Sequence, residues 1–310
     1  MSTDKYLWVE SFAPQTVDEC ILPATVKSTF NEYVTDKQFP NLILAGPAGV
    51  GKTSLARALC NEIDADLLFV NASLDRGIGE VRTTVSQFAS SSSIFGGIKV
   101  VLLDEADNLT QDSQKALRAL IEEFQHHCRF ILTCNYPHNI IDAIHSRCSV
   151  LDFNIRDPKQ LAQLCGQFYK RIAGILKTNN VTFDDKVLAE YILSMAPDWR
   201  GILNNLQFYA KNGTIGSDIL NETPDTLIEY IKSKKFAKME EWVNEHAYIH
   251  PVPLVKMLYK SLAKHIDNQS KPVAVITIEE YMDKLMRSPD PTITISALCT
   301  RLMMEMSWKD

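Results

Sequence analysis

Two short tracts carry residue types that act on phosphates. "GPAGVGKT", residues 46–53, has the spacing G-x-x-x-x-G-K-[ST]. Its glycines (Gly46, Gly49, Gly51), with Pro47, Ala48 and Val50 between them and Ser54 following, let backbone N–H groups curl around an anion. The Lys52 amine reaches the outer phosphates of a triphosphate, and the Thr53 hydroxyl is an oxygen ligand for Mg²⁺. Further along, "VVLLDEADNL" (100–109) ends an apolar run on two acids. There Asp104 is placed to hold Mg²⁺ through water and Glu105 to polarise an attacking water. A kinase has no need of that second carboxylate, so ATP hydrolysis is the expected chemistry.

Such residues work only if strands and helices aim them at one point. "NLILA" (41–45), "DLLFV" (66–70), "KVVLLD" (99–104) and "RFILTC" (129–134) read as buried strands. Helical patterns at 52–62, 79–89 and 113–124 alternate with them. Alternation of this kind predicts an α/β domain with a mostly parallel sheet covered on both faces. Ligands then bind at the carboxyl ends of the strands, where Asp104 and Glu105 fall. After about residue 154 the β signal stops. The stretches 157–176, 185–195 and 201–210 have helical spacing, and amphipathic helical patterns resume from about 223. Three domains are expected: 1–154 α/β, 155–222 a small helical lid, and 223–310 helical.

Composition narrows the class. The chain of 310 residues is 45% apolar and 23% charged, as in ordinary globular proteins. A net charge of −6 argues against nonspecific coating of nucleic acid but leaves room for a local basic surface. The sequence has no apolar run of membrane-spanning length, and "MSTDKYLWVE" lacks a secretory pattern. Its seven cysteines are odd in number and never form C-x-x-C, which points to a reducing cytoplasm without structural zinc.

The letters Asp104-Glu105-Ala106-Asp107 also spell the name of a helicase class. Those helicases need a second motor domain and a Ser-Ala-Thr motif on the next strand. Here that strand ends "TCN", and no second P-loop-like domain follows. On this reading Ala106 and Asp107 complete the word by chance.

The joint set "GPAGVGKT", "NASLDRGIGEVR" (71–82), "LLDEAD", "TCN", "SRC" (146–148) and "PDWRGILNNLQ" (197–207) resembles the AAA+ subunits of sliding-clamp loaders. Replication factor C small subunits carry close versions of all six in this order, over roughly residues 9–210. "VDECILP" (17–23), "EMSWK" (305–309) and the short length resemble the large subunit of T-even-type bacteriophage clamp loaders. The resemblance implies that Asn135 is sensor 1, that Arg147 is an arginine finger serving a neighbouring subunit's ATP, and that Arg200 is sensor 2. It puts Val9, Glu10, Ser11 and Phe12 beside the adenine with Ile21 opposite. The family's basic residues in that peptide are replaced here by Ser11 and Ala13.

By the same resemblance, the helix starts of "DRGIGEVR" and "LTQDSQKALR" face DNA, which brings in Arg76 and Arg82, then Lys115 and Arg118. Gln114 is either a polar link between the Glu105 loop and that surface or an exposed helix glutamine. Phe88, Ile94 and Phe95 are candidate clamp anchors or core residues. The implied partners are other clamp-loader subunits, in a pentamer with several copies of this chain and one different small subunit, together with a sliding clamp and primer–template DNA. No membrane is implied, and the location is the cytoplasm, that of a host cell for a phage protein. Two alternatives are a helicase loader or branch-migration motor, which should lack "SRC", and a non-hydrolysing AAA+ scaffold, which should lack Lys52 or Glu105.

Overall fold

The computed structural model describes residues 7–73, 78–91, 97–246 and 251–309. Contacts divide the chain into two compact units, Met1–Thr182 with Met195–Gly213, and Phe183–Ser194 with Thr214–Asp310.

In the first unit the chain runs through α1 (Trp8–Ser11), α2 (Ala24–Asp36), β1 (Leu42–Ala45), α3 (Lys52–Glu62), β2 (Asp66–Asn71) and α4 (Ile78–Ser90). It continues through β3 (Lys99–Asp104), α5 (Gln111–Glu123), β4 (Cys128–Cys134), α6 (Asp142–His145), β5 (Ser149–Asp152) and α7 (Pro158–Thr178). The four apolar runs all become strands, in a parallel sheet of order β2-β3-β4-β1-β5. β5 has no apolar run to announce it, because "SVLD" lies at the sheet edge with three of its four residues exposed.

Strand periodicity explains why β1 and the middles of β3 and β4 are apolar. Successive side chains point to opposite faces, and both faces are covered. Ile43, Val101, Leu103, Phe130 and Leu132 pack with Val85, Leu117 and Ile121 of α4 and α5. Leu42, Leu44, Val100, Leu102 and Ile131 pack with Phe30, Leu55 and Leu59 of α2 and α3. The ends of these strands are thus set in a three-layer core.

After the short strand β6 (Thr182–Phe183) come α8 (Asp185–Met195), α9 (Trp199–Ala210) and β7 (Thr214–Ile215). Of these helices, α9 belongs to the first unit and α8 to the second. The second unit continues with α10 (Pro224–Lys232), α11 (Phe236–His246), α12 (Pro251–His265), α13 (Lys271–Arg287) and α14 (Pro291–Glu305). Their apolar stripes meet in one core that includes Leu227, Trp242, Leu258, Leu262, Leu298 and Leu302. Among the described residues, no helix is long and apolar enough to cross a membrane.

Candidate nucleotide site

The loop 46–51 leaves β1 between two strand ends. Gly46 N donates to Cys134 O at 3.1 Å, and Phe153 N donates to Ala45 O at 2.7 Å. Gly49 and Gly51 have φ of 78° and 95°, the left-handed region where a side chain is strained. A Cβ on Gly49 would also run into the Asp198 carboxyl. That carboxylate accepts from Gly201 N at 2.9 Å and so caps α9. The bare backbone at Gly49 therefore lets the start of α9, with Arg200, settle against the phosphate loop.

Lys52 is 7% exposed, and its three ammonium protons have named acceptors: Gly46 O at 2.7 Å, Pro47 O at 2.8 Å and Asn135 Oδ1 at 3.0 Å. Burial lowers the Lys52 pKa, while Cys134, Asp104 and Asp107 push it back up. Arg200 is close enough to push the same way as burial.

Asp104 Oδ1 accepts from Thr53 Oγ1 at 2.5 Å and from Thr133 Oγ1 at 2.6 Å. The Thr133 hydroxyl in turn accepts from Glu105 N at 3.0 Å. Glu105 itself sits at φ 56°, a left-handed conformation rare for a residue with a side chain. Asn108 Nδ2 reaches its Oε2 at 3.2 Å.

Asp107 has a role that the sequence reading did not assign to it. Its Oδ2 accepts from Asn135 N at 3.1 Å and Tyr136 N at 2.9 Å, tying the end of β4 to the turn after β3. Ala106 is buried beneath the same turn. Sequence reasoning also missed Thr133. Both residues hold other functional groups in place, and no motif spacing marks such a role.

A pocket on the other side of the loop is lined by Val9, Phe12, Ile21, Gly49, Val50, Gly51, Ser54 and Arg200. Glu10 and Ser11 are not part of that lining and are exposed. The reason is helical: α1 is a single turn, so residues three apart (Val9 and Phe12) share a face while the two between point elsewhere. Ala13, Pro14, Glu19, Cys20 and Leu22 complete the near wall, and Phe168, Arg171, Trp199 and Leu203 come from α7 and α9. Arg171 donates to Glu19 O at 2.6 Å and Phe12 O at 2.7 Å, so α7 fixes the backbone of that wall. Phe168 and Trp199 rings pack 4.7 Å apart behind it.

Arg147 follows α6, on the surface beside α5. It donates to Ala143 O at 2.6 Å and Ser146 Oγ at 2.9 Å, and it pairs with Glu122.

Comparison with known proteins places the chain in a family. The family model "ATPase family associated with various cellular activities (AAA)" matches residues 42–155. The chain is 33% identical to the sliding-clamp-loader large subunit of Escherichia phage RB69, covering 80% of each protein. It is 30% identical to the replication factor C small subunit of Methanothermobacter thermautotrophicus, covering 96% of this chain and 97% of that one. The sliding-clamp-loader large subunit of Enterobacteria phage T4 is 29% identical over 98% of both chains. The chain belongs to the sliding-clamp-loader family. Within that family it is an ATPase of the AAA class. A likeness to the Thermotoga maritima RuvB Holliday junction branch migration motor, with TM-score 0.53 and 19% identity over 69% of this chain and 72% of that one, reflects the fold alone.

The surface that the family resemblance assigns to DNA lies on α4 and α5, which pack side by side. Arg82 is exposed on α4; Arg76 lies outside the described residues. Lys115 and Arg118 are exposed on α5 and pair along their own helix, Lys115 with Asp112 at 2.9 Å and Arg118 with Glu122 at 3.6 Å. Gln114 is not an exposed glutamine. It is 2% exposed, donates to Leu109 O at 3.2 Å and Asn139 O at 2.9 Å, and accepts from Ile141 N at 2.8 Å. Phe88 packs against the α4–α5 side of the sheet core, while Ile94 and Phe95 lie outside the described residues.

Proposed function

We propose that the chain is a catalytic subunit of a hetero-oligomeric loader that opens a ring-shaped clamp and closes it on primer–template DNA. The observation that carries the catalytic part is the meeting of Lys52, Thr53, Asp104 and Asn135 at the ends of three adjacent strands, with Glu105 following Asp104. Lys52 and the loop amides hold the β- and γ-phosphates of ATP, and Arg200 adds positive charge from α9. Asn135 orients the γ-phosphate or the attacking water, and Glu105 draws a proton from that water. Bond cleavage leaves ADP and phosphate.

The Thr53 hydroxyl and the Asp104 carboxylate fit Mg²⁺, which favours oxygen ligands and keeps several waters. The ion would neutralise phosphate charge, with Thr53 as direct ligand and Asp104 acting through water. Arg147 serves the site of the next subunit, so that turnover depends on assembly.

We assign residues 155–222 as a lid over the nucleotide and 223–310 as the collar holding subunits together. Exposed apolar residues on α13 and α14, among them Ile276, Met286, Ile293 and Met304, support the second assignment. The assembly is a pentamer containing several copies of this chain and one different small subunit, and its setting is a cytoplasm. Arg82, Lys115 and Arg118, with Arg76, face the DNA phosphates.

The test is the ATPase rate of the assembled complex with and without primed duplex DNA and a ring clamp, at several salt concentrations. Turnover should rise with DNA, and Arg82→Ala should weaken that rise for every sequence and reduce the salt slope by about one. A rate indifferent to DNA and clamp overturns the loader reading while leaving an ATPase.

A further inference from the structure

The backbone of Arg147 is fixed to the sheet by Asn41. Asn41 Nδ2 donates to Arg147 O at 3.5 Å, Asn41 O accepts from Ser149 N at 2.8 Å, and Asn41 Oδ1 accepts from Phe130 N at 3.0 Å. What remains free is the long side chain, whose rotamer entropy is about 2 kcal/mol. Two of its acceptors, Ala143 O and Ser146 Oγ, belong to the turn that carries Arg147 and move with it. Glu122 comes from a different element, α5, and so fixes the guanidinium relative to the domain.

The position of Glu122 on α5 has a second consequence. Thr110 caps that helix, directly after the turn of Glu105 and Asp107, and Glu122 lies in its last turn. A helix of 13 residues spans about 20 Å. One rigid rod thus joins the catalytic acids of one subunit to the arginine offered to the next. One turn before Glu122, Arg118 leans on the same carboxylate oxygen at 3.6 Å.

We infer that Glu122 is a positioning residue for Arg147, setting the direction in which the guanidinium meets the neighbouring subunit's ATP. The inference rests on Arg147 acting as a finger in trans. Glu122 is 42% and Arg147 33% exposed in their side chains, so the pair adds little to stability. Its effect is orientation, where a misplacement of about 1 Å costs on the order of 100-fold in rate.

The experiment uses the assembled, DNA-stimulated complex. Glu122→Ala should lower kcat by about 10- to 100-fold with KM for ATP within about twofold, since the nucleotide pocket is untouched. Glu122→Gln, which keeps the acceptor oxygen, should stay within about threefold of wild type. The double variant Glu122→Ala, Arg147→Ala should be no slower than Arg147→Ala alone, because both act through one group. Mixing Glu122→Ala with Glu105→Gln subunits should restore part of the turnover, since the second variant supplies an intact finger to an intact site.

Wild-type kcat in Glu122→Ala beside an impaired Arg147→Ala overturns the inference alone, as does a loss that adds to that of Arg147→Ala. Unimpaired turnover in Arg147→Ala overturns the finger reading and the inference with it.

Discussion

The carboxylate of Asp107 accepts the backbone N–H of Asn135 at 3.1 Å, so the turn after β3 holds the end of β4. The side chain of Asn135 is then aimed at Lys52, 3.0 Å from its ammonium. Asp107→Ala would leave two backbone donors seeking new partners, at a cost of about 1–3 kcal/mol each where they stay dry. We expect kcat to fall about tenfold or more while ATP affinity stays within about threefold. Steady-state kinetics and nucleotide titration check this; wild-type kcat would return Asp107 to a bystander.

In the proposed mechanism Lys52 and Glu105 divide the work of binding and cleavage. Lys52→Ala removes the only amine in the loop and should abolish measurable ATP binding. Glu105→Gln should bind ATP normally and hydrolyse it at least 100-fold more slowly, because the amide cannot take a proton from water. Equal loss of binding in both variants would contradict the division.

Lys99 closes the far end of α4. It is 5% exposed, donates to Phe88 O at 2.6 Å and to Ser91 O and Oγ, and lies 5.0 Å from the Phe88 ring centre. Helix C-termini leave carbonyls short of internal partners, and here one ammonium reaches two: Ser91 O, and Phe88 O, which also accepts from Ser91 N and Oγ. Lys99→Met should cost about 2–4 kcal/mol and speed amide exchange in the last turn of α4. Chemical denaturation and hydrogen exchange measure the two effects. An unchanged midpoint would mean that the carbonyls find other partners.

Burial raises the pKa of every cysteine, pushing Cys20, Cys60, Cys134, Cys148 and Cys299 up to about 12 and Cys128 to about 11. Above pH 9 the unfolded chain loses thiol protons that the native protein keeps. The native state then binds more protons, and stability falls as pH rises. Lys52 contributes the opposite sign between its lowered pKa and 10.5, since there the unfolded chain is the more protonated. Seven thiols against one amine should leave a net fall. Thermal unfolding at pH 8 and pH 10 tests this, and a midpoint that holds or rises would show that the native thiols ionise normally. Alkylation of the native protein at pH 8 should be slow for the same reason.

The local geometry was legible in the sequence. "GPAGVGKT" after an apolar run marks the loop between β1 and α3, and "VVLLDE" marks the strand that ends on two acids, because each depends on a few neighbouring residues and on strand or helix period. The three inner strands β1, β3 and β4 were legible too, since a strand covered on both faces must be apolar through its middle, and β2, half-buried at the other edge, still carries an apolar run. Edge strand β5 was not, because an exposed edge places no such demand on "SVLD".

What only the tertiary structure decided are relations between residues far apart in the chain. Asp107 meeting Asn135, Thr133 bridging Asp104 and Glu105, and Glu122 meeting Arg147 each join side chains from different elements. Glu10 and Ser11 leave the pocket because one turn of helix rotates them off the face that Val9 and Phe12 share. Gln114 and Arg171 find their backbone partners only once α5 and α7 have docked. A sequence pattern records the period of one element. Which polar atoms come within 3 Å of one another is set by how two elements pack.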